Sequence, residues 1–164
     1  MNTLYVTYCS GKKNPKEGSI PAIERYDSDR IRWVYNLSIK DKADFAILSG
    51  VLGLLYPNEK ILYYNHKMNK DDVKRIAKLI KWFLRDRNHE NRNYEKIDYF
   101  TENPHSEPVL KYYHESLKGA IDKLKEEEEQ NIKLKLRTIQ KISYEEIDFP
   151  NPEGLFVDDN SADC

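Results

Sequence analysis

The chain has 164 residues, 39% hydrophobic and 34% charged, and its 27 Lys and Arg against 28 Asp and Glu give a formal net charge of −1. The length suits one domain with a core that needs no staples. The charge balance excludes a global basic field for nucleic acid, so any such contact has to come from a local patch.

The first six-residue element is Thr3–Tyr8, TLYVTY, β-branched and aromatic before turn residues, which predicts a strand. A long Gly-, Pro-, Lys- and Ser-rich loop follows. Asp27, Ser28 and Asp29 offer caps for a helix over about 29–39, with Ile31, Val34 and Tyr35 on one face. Phe45, Ala46, Ile47 and Leu48 form a short apolar run ending at Ser49 and Gly50, which predicts a buried second strand. Residues 50–55 read as an irregular loop or one helical turn closed by Pro57. Residues 61–64 read as a short strand or extended loop.

Asn69 caps the clearest helix, over about 71–85, where Val73, Ile76, Ala77, Ile80, Phe83 and Leu84 recur at helical spacing. A polar loop at 88–93 leads to a third strand, KIDYFT, over 96–101. Another helix is predicted from about Glu107, with Ser106 or Asn103 as cap and Pro108 in its first turn. Ile132, Leu134, Leu136 and Thr138 alternate like a strand, while Ile132, Leu136, Ile139 and Ile142 recur like a helix. The Lys, Leu, Arg and Gln content favours helix.

Strand–helix alternation predicts an α/β fold, a three-layer sandwich around a small, mostly parallel sheet. Residues 1–142 are expected to form one domain and 143–164 an acidic tail. No apolar run approaches the ~18 residues of a membrane helix, no repeat is found, and Met1 leads into a strand without a basic, apolar leader. The expectation is a cytoplasmic protein with no membrane partner. Cys9 ends a strand and Cys164 lies in the tail, so no disulfide between them is expected and Cys9 is expected to be reduced.

Parallel sheets bind ligands at the carboxyl ends of their strands. Three loops fall there. The first carries Cys9, Ser10, Gly11, Lys12 and Lys13, a strand end with amides, a hydroxyl and cations that suit a phosphate or carboxylate. Cys9 is a candidate nucleophile if those cations lower its pKa. The loop is not a P-loop, because Val6 stands where the upstream Gly belongs and Lys13 where Ser or Thr belongs. It is not a phosphatase loop either, because Pro15 takes the arginine's place. The second loop pairs Ser49 with Gly50 and Gly53, which permit close backbone approach. The third holds Glu102, His105, Ser106 and Glu107, where His105 beside carboxylates suits acid–base chemistry. No His or Cys shows metal-ligand spacing, so neither metal nor cofactor is expected. Several of the 12 tyrosines flank these loops, among them Tyr8, Tyr26, Tyr56, Tyr63 and Tyr64, and would suit a nucleoside or base.

These residues carry a resemblance. Cys9…Lys13, Pro21-Ala22…Tyr26 and Leu48-Ser49…Gly53-Leu54…Pro57 resemble an uncharacterised family of bacterial, archaeal and phage domains that read C-x-x-x-K, P-A-x-x-x-Y and L-S-x-x-x-G-L-x-x-P. The same elements are similar to the lysine-transferring core of archaeosine synthase and, more loosely, to the YaaA peroxide-stress proteins. Those families resemble uracil-DNA glycosylases in their α/β core. The likeness spans 4–64. It lacks the Pro-Tyr after the lysine of archaeosine synthase and the water-activating motif after strand one of uracil-DNA glycosylases. What it implies is a uracil-DNA-glycosylase-like fold and one pocket formed by Cys9, Ser10, Lys13, Tyr26, Ser49 and Gly53. Cys9, Lys13 and Ser49 are the expected catalytic residues. Ser10, Gly11, Lys12, Tyr26, Gly50, Gly53 and His105 are the expected ligand contacts. The implied activity is an enzyme acting on a nucleobase, nucleoside or nucleotide, as a hydrolase or base-modifying transferase. The alternative is a non-catalytic nucleic-acid-binding stress or defence protein of a phage or prokaryote.

Overall fold

Five of the six residues of Thr3–Tyr8 (β1) are buried, because both faces of this central strand are covered and its apolar residues do not need to alternate with polar ones. The computed structural model describes residues 2–87 and 93–139. Most of the polar loop expected at 88–93, and everything from 140 onwards including the expected acidic tail, lie outside them.

β1 pairs in parallel with Asp44–Ser49 (β3) on one side and Lys96–Thr101 (β6) on the other, as the alternation predicts. Gly53–Leu55 (β4) and Lys133–Thr138 (β7) complete a five-stranded sheet of order β4-β3-β1-β6-β7 among the described residues. β4 runs antiparallel, so the sheet is mixed. The short strands Ile20–Pro21 (β2) and Lys60–Ile61 (β5) pair with each other antiparallel, so the extended segment expected near 61 is a strand of two residues.

Ala22–Arg25 (α1) is a single turn. Asp29–Asp41 (α2) starts at Ser28, whose side chain accepts from the Ile31 amide, and covers β1 and β3. Its Trp33 meets Phe100 edge-on and its Tyr35 packs on Phe45. Val73–Arg87 (α3), entered through a 3-10 turn capped by Asn69, and Pro108–Glu128 (α4) pack on each other. Tyr113 of α4 stacks on Tyr8, whose side chain leaves β1 opposite to that of Thr7, the register partner of Phe100. One helix therefore lies on one face and two on the other.

Three expectations are corrected here. Residues 133–138 form a strand rather than a helix. β6 otherwise presents an open edge, and pairing from Lys96↔Lys133 to Thr101↔Thr138 satisfies it. The helix-favouring residues are overruled by that tertiary pairing. The break before β7 carries no glycine: Glu129 takes φ 55°, and the Gln130 amide donates to Leu124 O. Residues 50–55 are neither irregular throughout nor helical, because Gly53–Leu55 folds back on β3 as a hairpin. At the start of α4, the cap position is Glu107, with no side-chain cap bond; Asn103 and Ser106 close the preceding turn instead.

Candidate functional site

The carboxyl ends of β1 and β3 are neighbours, so their loops lie side by side: the Cys9 amide donates to Leu48 O at 2.9 Å. The first loop has no helix or strand of its own between residues 9 and 19. Arg25 orders it. The guanidinium is fully buried and donates through Nη1 to Asn14 O and Lys16 O at 2.7 and 2.8 Å. Through Nη2 it donates to Gly18 O and Ile61 O at 2.6 and 3.2 Å. Four donors in a rigid fork thus replace the ladder that a strand would have supplied. Lys13 forms an antiparallel bridge to Tyr26, and Ser10 Oγ donates to Lys12 O at 2.8 Å.

This path separates the two lysines. Lys12 is exposed and pairs with Asp27 at 3.2 Å. Lys13 turns inward: its ammonium lies 4.7 Å from the ring centre of Tyr64 and 5.9 Å from that of Tyr26, and donates weakly to Gly11 O at 3.4 Å. Beneath it runs a chain of hydroxyls. Ser49 Oγ accepts from the amides of Val51 and Leu52 at 3.1 and 3.0 Å. Those two donors engage both of its lone pairs, so its own proton goes to the Tyr64 oxygen, 2.8 Å away. The Tyr64 and Tyr26 hydroxyls are 2.6 Å apart. Ser49 is therefore a positioning group that fixes Tyr64 rather than a poised nucleophile.

Burial pushes the hydroxyl of Tyr26 well above its usual value, helped by the nearby Tyr64. Burial likewise raises Tyr64, against the opposing bonds from Ser49 and Tyr26. Tyr113 is also raised by burial, with Tyr64 and Tyr99 adding to it. At neutral pH these are phenols, hydrogen-bond donors and not bases. An unfolded tyrosine ionises near pH 10, and these three ionise later when folded. The unfolded chain thus binds fewer protons above pH 10, and stability is full below that pH and falls as pH rises through the folded values. Alkaline titration followed by tyrosinate absorbance and by circular dichroism should show these hydroxyls ionising only as the fold is lost. A Tyr64→Phe chain should show a shallower alkaline decline.

Two buried groups near this cluster, Arg30 and Tyr113, carry no obvious sequence signal. Arg30, on α2, is 3% exposed and lies 3.5 Å from the Tyr8 ring centre. It donates to Thr7 Oγ1, Tyr8 O and Cys9 O at 2.6, 2.7 and 3.2 Å, which fixes the end of β1. The Tyr8 hydroxyl donates to the carboxylate of Glu102 at the end of β6. Tyr113 reaches from α4 to within 3.4 Å of Cys9 Sγ. A regular helix pattern marks Arg30 and Tyr113 only as helix positions; nothing in it indicates that they turn to this edge.

The structure corrects the expected state of Cys9 and gives packing or bonding partners to other expected contacts. Cys9 is fully buried and disulfide-bonded, and no described cysteine is free, so it is neither reduced nor a resting nucleophile. Strand position governs burial and not oxidation state, which is why the expectation failed. Cys164, the sequence's other cysteine, lies outside the described residues. Gly50 and Gly53 serve packing. A Cβ on Gly50 would meet Met68 Cβ at 2.9 Å and the Tyr113 hydroxyl at 3.2 Å. A Cβ on Gly53 would meet Leu79 Cβ at 2.8 Å, and its φ is 78°. His105 is exposed, and its amide donates to Asn103 Oδ1 in the turn before α4.

A cavity of about 620 Å³ lies at the opposite, amino edge of the sheet, and none of the expected site residues lines it. Among the described residues, no group of three or more His, Cys, Asp or Glu is placed to hold a metal ion, and no helix is long and apolar enough to cross a membrane. In comparison with known proteins, the chain matches no family model, no curated protein and no solved structure.

Proposed function

We propose that the carboxyl edge of the sheet binds a nucleoside or nucleotide and that the protein hydrolyses its glycosidic bond, on a core of the uracil-DNA-glycosylase-like kind. The observation that carries this reading is Lys13, whose ammonium sits over Tyr64 beside the Ser49–Tyr64–Tyr26 hydroxyls. A cation next to neutral phenolic donors complements a phosphate or sugar hydroxyls. Tyr63, next in sequence and 53% exposed, offers a ring on which a base can stack. Glu102, oriented by Tyr8, supplies a carboxylate at the same edge. In this reading water adds to the anomeric carbon as the bond to the base breaks. Glu102 takes the water's proton, the departing base takes one from solvent, and Glu102 then releases its own to solvent, so the carboxylate is restored.

The test is a binding panel of nucleosides, mononucleotides and a short oligonucleotide at low and high salt, with chromatography for released base. The expected result is saturable mononucleotide binding with modest salt dependence and release of free base. Binding of the oligonucleotide alone, weakening steeply as salt rises, with no base released, overturns it in favour of a nucleic-acid-binding protein. The exposed Lys12 and Lys16 in the same loop would then be backbone contacts.

A further inference from the structure

The cavity at the amino edge lies between the end of α2, the start of β3 and the segment after β4. Its volume, about 620 Å³, is that of a small-molecule site. Tyr35, Ile39, Phe45 and Pro57 give it apolar walls, and Asp44 and Glu59 give it carboxylates. Behind the wall runs a second chain of hydroxyls. Tyr94 donates to Asp44 Oδ2 at 2.6 Å, and the Tyr56 and Tyr94 oxygens are 2.6 Å apart. Tyr94 has one proton and gives it to Asp44, so Tyr56 donates to Tyr94. Burial, the bond to Asp44 and the bond to Tyr56 push the Tyr94 hydroxyl up, so it stays a phenol.

Both phenolic protons thus run inward and end on a carboxylate. Ser38 and Ile39 also bring the negative end of the α2 dipole to the same wall. Aromatic faces attract cations as well. Lys40 and Lys42 flank the segment but do not line the cavity. From this convergence we infer that the amino-edge cavity is a binding site for a small organic cation, an ammonium or guanidinium carried on a flat or alkyl body. The apolar walls take the body and Asp44 takes the charge. This site is separate from the one proposed at the carboxyl edge and does not depend on it.

The probe is phenethylammonium, with 2-phenylethanol as its neutral counterpart of like shape, titrated into the full chain and followed by amide NMR shifts. Saturable shifts are expected at Ile39, Ala43, Asp44 and Phe45, with the alcohol at least ~10-fold weaker. Asp44→Asn keeps an acceptor for Tyr94 and removes the charge; it should weaken the ammonium at least ~10-fold and leave the alcohol unchanged. Glu59→Gln should weaken it in the same direction. If Asp44→Asn does not fold, the preference for ammonium over alcohol and the Glu59→Gln loss decide alone. No saturation below about 10 mM, shifts elsewhere, equal binding of the two probes, or a folded Asp44→Asn that binds as the wild type does would each overturn the assignment. Nucleotide binding at Lys13 should be untouched by either variant, so the two sites are tested separately.

Discussion

Arg25→Met should lower stability by about 3–5 kcal/mol, the cost typical of removing one partner from a buried charged network. For a chain of this size that is a fall in melting temperature of roughly 10 °C. The side chain is fully buried, and its two terminal nitrogens donate to four carbonyls, three of them in the first loop. Met keeps much of the volume and the aliphatic stem but leaves those carbonyls without a donor. Water can reach some of them only if the loop opens. Arg25→Lys should recover part of the loss, because an ammonium has three donors on one atom and does not span four acceptors. Limited trypsin digestion gives an independent readout: Lys12, Lys13 and Lys16 lie in the loop and should be cut faster in Arg25→Met. A melting curve and digestion pattern like the wild type's would show that something other than Arg25 orders the loop.

The residues of this staple show how much of the molecule was legible. β3 was readable because burial on both faces requires a continuous apolar run, and β1 and β6 through their β-branched and aromatic residues, despite the buried Thr7 and Asp98; each is a local property of the sequence. α2 and α3 were readable through Ser28 and Asn69, whose side chains do cap them. β7 was not, because its conformation is set by the free edge of β6, some thirty residues upstream. Arg25 and Arg30 sit in helical positions where arginine ordinarily faces water. That they turn inward depends on carbonyls supplied by loops and by the end of β1. The motif residues Lys13, Tyr26 and Ser49 did come together, through the adjacency of two strand ends. Gly50 and Gly53 proved to make room for Met68 and Leu79, partners that spacing alone does not reveal. The amino-edge cavity had no sequence signal, since its walls come from segments that meet only in the fold.

Lys13→Ala should weaken a mononucleotide about 100-fold, leave the corresponding nucleoside within a few-fold, and barely change the melting temperature. The first part follows from charge. A hydrogen bond from an ammonium to a phosphate contributes about 1.5–3 kcal/mol, and a phosphate left facing the neutral hydroxyls of Tyr64 and Tyr26 has no replacement for it. The second part follows from geometry, because a nucleoside would still meet the same phenols and the Tyr63 ring. The third follows from what the side chain does in the fold. Solvent still reaches the ammonium, so its stacking over Tyr64 and Tyr26 is a cation–π contact of about 0.5–1 kcal/mol, a change of roughly two degrees. The backbone bridge between Lys13 and Tyr26 survives the substitution. Lys13→Arg should retain part of the nucleotide affinity, since it keeps the charge but not the shape. Isothermal titration of the six chain–ligand combinations, with melting curves alongside, separates the outcomes. Equal loss for nucleotide and nucleoside would place Lys13 at the base or sugar instead of the phosphate. Unchanged affinity for both, or a loss that appears only with unfolding, would remove Lys13 from the site. In that case the inward turn of this side chain would serve only to close the loop over Tyr64.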